Sequence, residues 1–117
     1  MSEHPAAAKV VYNNTFGGFS LSKLAAIWLA GRGNEEAIVW LANLNLGGER
    51  WGKDFCPQDL QRHDPLLVEC VEELGKKSNG SSAELAIYKL KGRRYLIEEY
   101  DGSEAIIEPD DQKWIEV

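Results

Sequence analysis

Cys56, His63 and Cys70 stand seven residues apart and are soft-metal ligand types, so metal binding is the first chemistry they suggest. A structural zinc site needs four ligands, usually with cysteines in tight pairs. Here Asp59 or Asp64 would have to supply the fourth. Cys70 also falls on the apolar stripe of a predicted helix, where a small buried thiol is the ordinary occupant. The spacing therefore predicts no metal site. His4 and His63 are the only histidines. His63 immediately precedes a predicted helix cap and reads as a solvated residue rather than a general base.

Carboxylates are plentiful from Glu98 onward. Paired acids hydrolyse glycosides only when a cleft fixes their separation and shifts one pKa. Glu98 and Glu99 are adjacent in a predicted strand and so point to opposite faces. The Gly-x-Gly-x-x-Gly, phosphate-loop, His-Glu-x-x-His and Gly-x-Ser-x-Gly patterns are all absent. No catalytic residue and no cofactor are assigned, and a binding protein is favoured over an enzyme.

Gly17 and Gly18, ahead of a helix start with Lys23 in reach, could present amides to an anion. The competing reading is a tight turn in which Phe16 and Phe19 anchor a strand-to-helix junction, and it is preferred. Phe16, Gly17, Gly18 and Lys23 are kept as part of a candidate binding surface. Trp40 and Trp51 border irregular segments and are candidate exposed anchors, since aromatic residues dominate protein interfaces.

The charge is unevenly spread. The chain of 117 residues carries 13 Lys and Arg against 19 Asp and Glu. From Tyr95 to Val117 there are eight acids and one base, Lys113. Such a surface repels phosphate backbones, which argues against nucleic acid, and it could steer a basic protein partner. Glu98, Glu104 and Glu108 are the acids expected to face solvent there. The competing reading is an acidic sheet edge that only confers solubility.

The elements that must position these groups read as one α+β domain. Residues 1–8 look like a frayed leader, and 9–117 form the single domain. Lys9–Tyr12 is a β-prone run. Leu21, Leu24, Ala25, Trp28 and Leu29 share a helical face, capped by Ser20 or Ser22 and ended at Gly31 or Gly33. Glu35–Leu41 makes a shorter helix with Ile38, Leu41 and Trp40 as its buried side. The segment 43–61 is irregular and is expected to pack through Leu46, Trp51 and Phe55. Asp64 caps and Pro65 opens the clearest helix, with Leu67, Cys70, Val71 and Leu74 buried and Gly75 as its stop. Then come strands at 83–90, 94–100 and 103–108, joined by Lys91-Gly92-Arg93 and by Asp101-Gly102, a strong hairpin signal. Trp114–Val117 is a final short run. The predicted fold is an N-terminal strand, two or three helices, then an antiparallel β-meander packed against the helices.

No apolar run is long enough to span a bilayer, and the start does not read as a secretory signal. Both cysteines are therefore expected as free thiols in a reducing cytoplasm.

Several blocks carry a family resemblance. Tyr12-Asn13-Asn14-Thr15-Phe16-Gly17-Gly18-Phe19-Ser20-Leu21-Ser22 resembles the opening of small, functionally uncharacterised bacteriophage and prophage proteins. The segment 62–75, with Asp64-Pro65-Leu66-Leu67-Val68-Glu69-Cys70-Val71-Glu72-Glu73-Leu74-Gly75, is similar to a later block of that family. So are Asn79-Gly80, Ala83–Ile87 and, most specifically, Glu98-Glu99-Tyr100-Asp101-Gly102-Ser103-Glu104. The blocks cover about half the chain, while 34–61 and the tail after Glu108 depart from the pattern. The resemblance implies a phage origin, a bacterial host cytoplasm and a role in modulating a host or defence protein. It brings no active site with it. The expectation is a protein-binding module whose partner, a host or phage protein, has a basic surface. The alternatives are a small-molecule or nucleotide-processing enzyme and a phage structural or assembly protein, including a homo-oligomer whose helices pair.

Overall fold

A computed structural model describes residues 8–45 and 54–109. The predicted leader, apart from Ala8, and Leu46, Trp51 and the predicted run 114–117 lie outside the described residues. In chain order the elements are β1 (Lys9–Asn13), α1 (Lys23–Ala30), α2 (Glu35–Asn45), α3 (Pro65–Leu74), β2 (Leu85–Lys89), β3 (Leu96–Tyr100) and β4 (Ser103–Ile107). A 3₁₀ turn, Gly75–Ser78, closes α3. The class is α+β, with an N-terminal strand, helices, and antiparallel strands packed against the helices.

The local signals act where the sequence places them. Ser22 caps α1, its hydroxyl accepting from the Ala25 amide at 3.1 Å. Asn34 does the same for α2 through Ala37 at 2.9 Å. Asp64 caps α3 through Leu66 at 2.8 Å, with Pro65 beside it. Each such cap contributes about 1 kcal/mol. Gly75 leaves the helix at φ +57°, in the left-handed region.

The helices meet through small and branched side chains. Ala25, Ala26 and Leu29 of α1, Ala37 of α2, and Leu67, Val68, Cys70 and Val71 of α3 form one apolar core with Val11, Leu21 and Phe55. Leu21, fully buried, exchanges backbone hydrogen bonds of 2.8 Å in both directions with Phe55. Along the rim, the Trp28 indole donates to Glu73 at 2.7 Å, and Arg32 lies over the Trp28 ring. Two expectations need correction here. Leu24 and Ile38, assigned to buried faces, are about half exposed, whereas Ala26 and Ala37 are fully buried. The helices approach so closely that alanine, not the larger neighbour, fits between them.

Strand pairing is where the observed topology departs furthest from the predicted meander. β2 pairs antiparallel with β1, Val11 opposite Ile87, and β3 pairs with β4, Ile97 opposite Ile106. The result is two separate two-stranded ribbons. The β1–β2 ribbon lies between two apolar clusters. Val11, Leu85 and Ile87 pack with the helices. Val10, Tyr12 and Tyr88 pack instead with Leu90, Tyr95, Ile97 and Ile106. The link after β2 is therefore a crossing between layers and not a tight hairpin. Its Lys91 and Gly92 amides donate to Glu108, both at 2.9 Å, so they are not available to a turn.

Candidate interaction surface

The Asp101-Gly102 turn joins β3 to β4 with positive φ at both residues, +54° and +89°, the combination that suits the twist of a two-residue hairpin. Gly102 is needed for a second reason. A Cβ there would lie 2.6 Å from the Gly18 nitrogen and 2.6 Å from the Phe16 carbonyl. The hairpin tip is thus pressed onto the Thr15–Gly18 turn. Gly17 is equally constrained, since its Cβ would fall 1.7 Å from the Ser82 carbonyl oxygen. Gly18 holds φ +87°. Gly17 serves close backbone packing and Gly18 the left-handed backbone of the turn, and the groups nearest Gly17 are those of Ser82, including a carbonyl that would repel an anion.

This docking sets the side chains of the tip. Opposed residues of an antiparallel pair share a face. Ile97 and Ile106 face the β1–β2 ribbon, while Leu96, Glu98 and Tyr100 face outward with Ala105 and Ile107. Leu96 is 67% exposed and Tyr100 77%. Phe16, 67% exposed, meets the Tyr100 ring edge-on at 6.5 Å between centroids. Glu98 and Asp101 are exposed beside them, while Glu99, also exposed, points to the opposite face with Glu104. A shallow concavity of about 430 Å³ is lined by Glu98, Glu99, Tyr100, Ser103, Glu104 and Ala105.

Two of the three acids expected in solvent are buried. Glu104 is 8% exposed and Glu108 3%. Glu104 Oε1 accepts from the Asn13 amide at 2.9 Å, and its two oxygens take a forked pair of bonds from Arg62 at 2.5 and 2.8 Å. Asn13 reinforces the joint, its Nδ2 donating to Gly102 O at 2.8 Å and Thr15 O at 2.7 Å. Glu108 accepts from Lys91 and Gly92 amides and from the Tyr88 hydroxyl at 3.0 Å. The Gly92 amide above all, with Tyr88 and Lys91, holds the Glu108 carboxyl below its ordinary range despite the opposing effect of burial. Both acids occupy β4-side positions of the same parity as Ile106, so they turn toward the β1–β2 ribbon and its polar groups instead of toward water. Only Glu98 of the three faces solvent.

Arg62 joins this site with no motif in the sequence to mark it. Besides Glu104, its guanidinium lies 3.5 Å from the Phe19 ring centroid, and its carbonyl accepts from Val11 N at 2.8 Å. No spacing rule links Arg62 to Glu104, 42 positions away. His63 next to it is exposed and meets the Tyr95 hydroxyl at 2.7 Å through Nδ1. Burial raises the Tyr95 pKa, opposed by Arg62.

The remaining candidates scatter. Lys23 is exposed at the start of α1. Trp40 is half-buried against Phe55, 5.4 Å between ring centroids, and borders a separate concavity with Glu35, Glu36 and Cys56. Trp51 lies outside the described residues. Cys70 is fully buried between α1 and α3, and burial pushes its thiol up to about 11. Cys56 is exposed, with its pKa raised by partial burial and by Asp54. Among the described residues no group of three or more His, Cys, Asp or Glu side chains is placed to hold a metal ion. No helix among them is long and apolar enough to cross a membrane. Scans against family models, curated proteins and solved structures matched nothing to this chain.

Proposed function

We propose that this chain is a protein-binding module whose contact surface is the outward face of the β3–β4 hairpin together with Phe16. The observation that carries the reading is the grouping of Phe16, Leu96 and Tyr100, each at least two-thirds exposed, beside the exposed acids Glu98 and Asp101. Large apolar side chains gathered on one side are the anchors that protein interfaces use. The surrounding carboxylates suit a partner with a basic surface and would speed its encounter more than they would deepen affinity. The resemblance of the sequence blocks extends this proposal to a phage protein that modulates a host or defence protein in the bacterial cytoplasm. An enzymatic role has less support, because Glu104 and Glu108 are engaged in fixing the fold.

The test is capture from bacterial lysate with the wild-type chain and with Leu96→Ala/Tyr100→Ala. A specific partner should be retained by the first and lost by the second. With that partner purified, Glu98→Lys/Asp101→Asn should slow association several-fold at low salt, the difference shrinking as the screening length falls to about 8 Å at physiological ionic strength. A partner that binds both chains alike would overturn the reading.

A further inference from the structure

We infer that the β3–β4 hairpin opens as a unit before the rest of the fold, with the Arg62–Glu104 pair as its latch. The two ribbons share no ladder of strand hydrogen bonds among the described residues. What joins them is a small apolar cluster, Val10, Leu90 and Ile106 with partly buried tyrosines, and a set of side-chain bonds. The main ones sit at two points, while His63 Nδ1 and the Tyr95 hydroxyl meet at 2.7 Å beside the start of the hairpin. At the tip, Glu104 takes the Asn13 amide and the Arg62 fork, and Asn13 holds Gly102 O. At the base, Glu108 takes the Lys91 and Gly92 amides and the Tyr88 hydroxyl. The helices, by contrast, share a larger and fully apolar core. Segments with few buried apolar contacts open first, as cooperative units.

Glu104 is the tip's decisive group because its carboxylate serves both Asn13 of β1 and Arg62 of the loop before α3. Opening the hairpin breaks all of these bonds together and separates Tyr100 from Phe16. The Arg62–Glu104 pair is thereby a positioning device for the exposed face, not a contact on it. The inference concerns the fold alone, so it can fail while the binding proposal holds, and the reverse.

Native-state hydrogen exchange on the full chain tests it. In the wild type, hairpin amides should exchange at least about tenfold faster than the slowest amides of α1 and α3, with a weaker dependence on urea. Glu104→Gln removes charge with little change of shape. It should speed hairpin exchange by roughly 5- to 100-fold, the range for loss of buried hydrogen bonds, and weaken the nuclear Overhauser contact between Phe16 and Tyr100. Val71→Ala weakens the helical core equally in the closed and hairpin-open states. It should speed helix exchange and leave hairpin exchange unchanged. A single common rate and urea dependence for hairpin and helices in the wild type would overturn the inference, and that measurement stands even if a variant does not fold. So would unchanged hairpin exchange in Glu104→Gln, or hairpin exchange accelerated by Val71→Ala.

Discussion

The helical layer and the C-terminal hairpin solve the same problem by different means. In the helical layer Ala25, Leu29, Leu67, Cys70 and Val71 are packed almost out of water, and the few polar bonds lie at caps and rims. In the hairpin, Ile106 is the only strand residue among the buried apolar side chains of β3 and β4, and Glu104 and Glu108 complete the attachment. Apolar burial is non-directional and tolerates small shifts. A carboxylate that must meet an amide and a guanidinium fixes position to within hydrogen-bonding distance. The helices therefore supply most of the stability, and the hairpin's carboxylates supply its register and placement.

The contrast can be broken from the helical side with the largest effect. Leu67→Ala should destabilise the whole fold by about 2–5 kcal/mol, because Leu67 is fully buried and a cavity replaces it. Urea unfolding followed by circular dichroism measures this. A loss below about 1 kcal/mol would mean that the helical layer is less tightly packed than its burial implies.

On the hairpin side, Gly102→Val meets two penalties at once. The residue keeps φ +89°, and the new Cβ would press on the backbone of Phe16 and Gly18. The expected cost is about 1–3 kcal/mol, read from the same urea melts. The Phe16 and Tyr100 ring resonances should shift together, since the tip must back away from the turn. Wild-type stability and unshifted rings would show that the tip is not docked there.

The smallest effect sharpens the role of Glu108. Its folded pKa lies below the ordinary carboxylate value, held down chiefly by the Gly92 amide. A depressed folded pKa means that the unfolded chain takes up the proton first as pH falls. The stabilisation is therefore present above the ordinary carboxylate range and is lost as pH drops through the folded value. Glu108→Gln should be less stable than the wild type near neutrality, and the gap should narrow in acid. Melting curves from pH 7 to pH 3 in steps of about half a unit check it. Parallel curves across that range would show that the anion is not what the amides hold.

The sequence by itself determined the local features. Asp64-Pro65 and Gly75 bound a helix because an acceptor, a missing amide proton and a left-handed stop act within a few residues of one another. Asp101-Gly102 makes a turn because few residues tolerate positive φ twice in succession. The fold class, the buried thiol of Cys70 and the inward choice of Leu67 and Val71 were legible on the same grounds. The tertiary structure decided what depends on partners distant in the chain. β2 joins β1 and not β3, a choice made by Val11 and Ile87 meeting on the helical core rather than by any turn between them. It also decided that Glu104 and Glu108 are buried. A strand pattern tells which residues share a face, but not that Arg62 and the Asn13 amide, or the Lys91 and Gly92 amides, wait on that face to take a carboxylate. An acid is placed in water by default because burying its charge costs several kcal/mol. Only the assembled layers supply the donors that offset that cost.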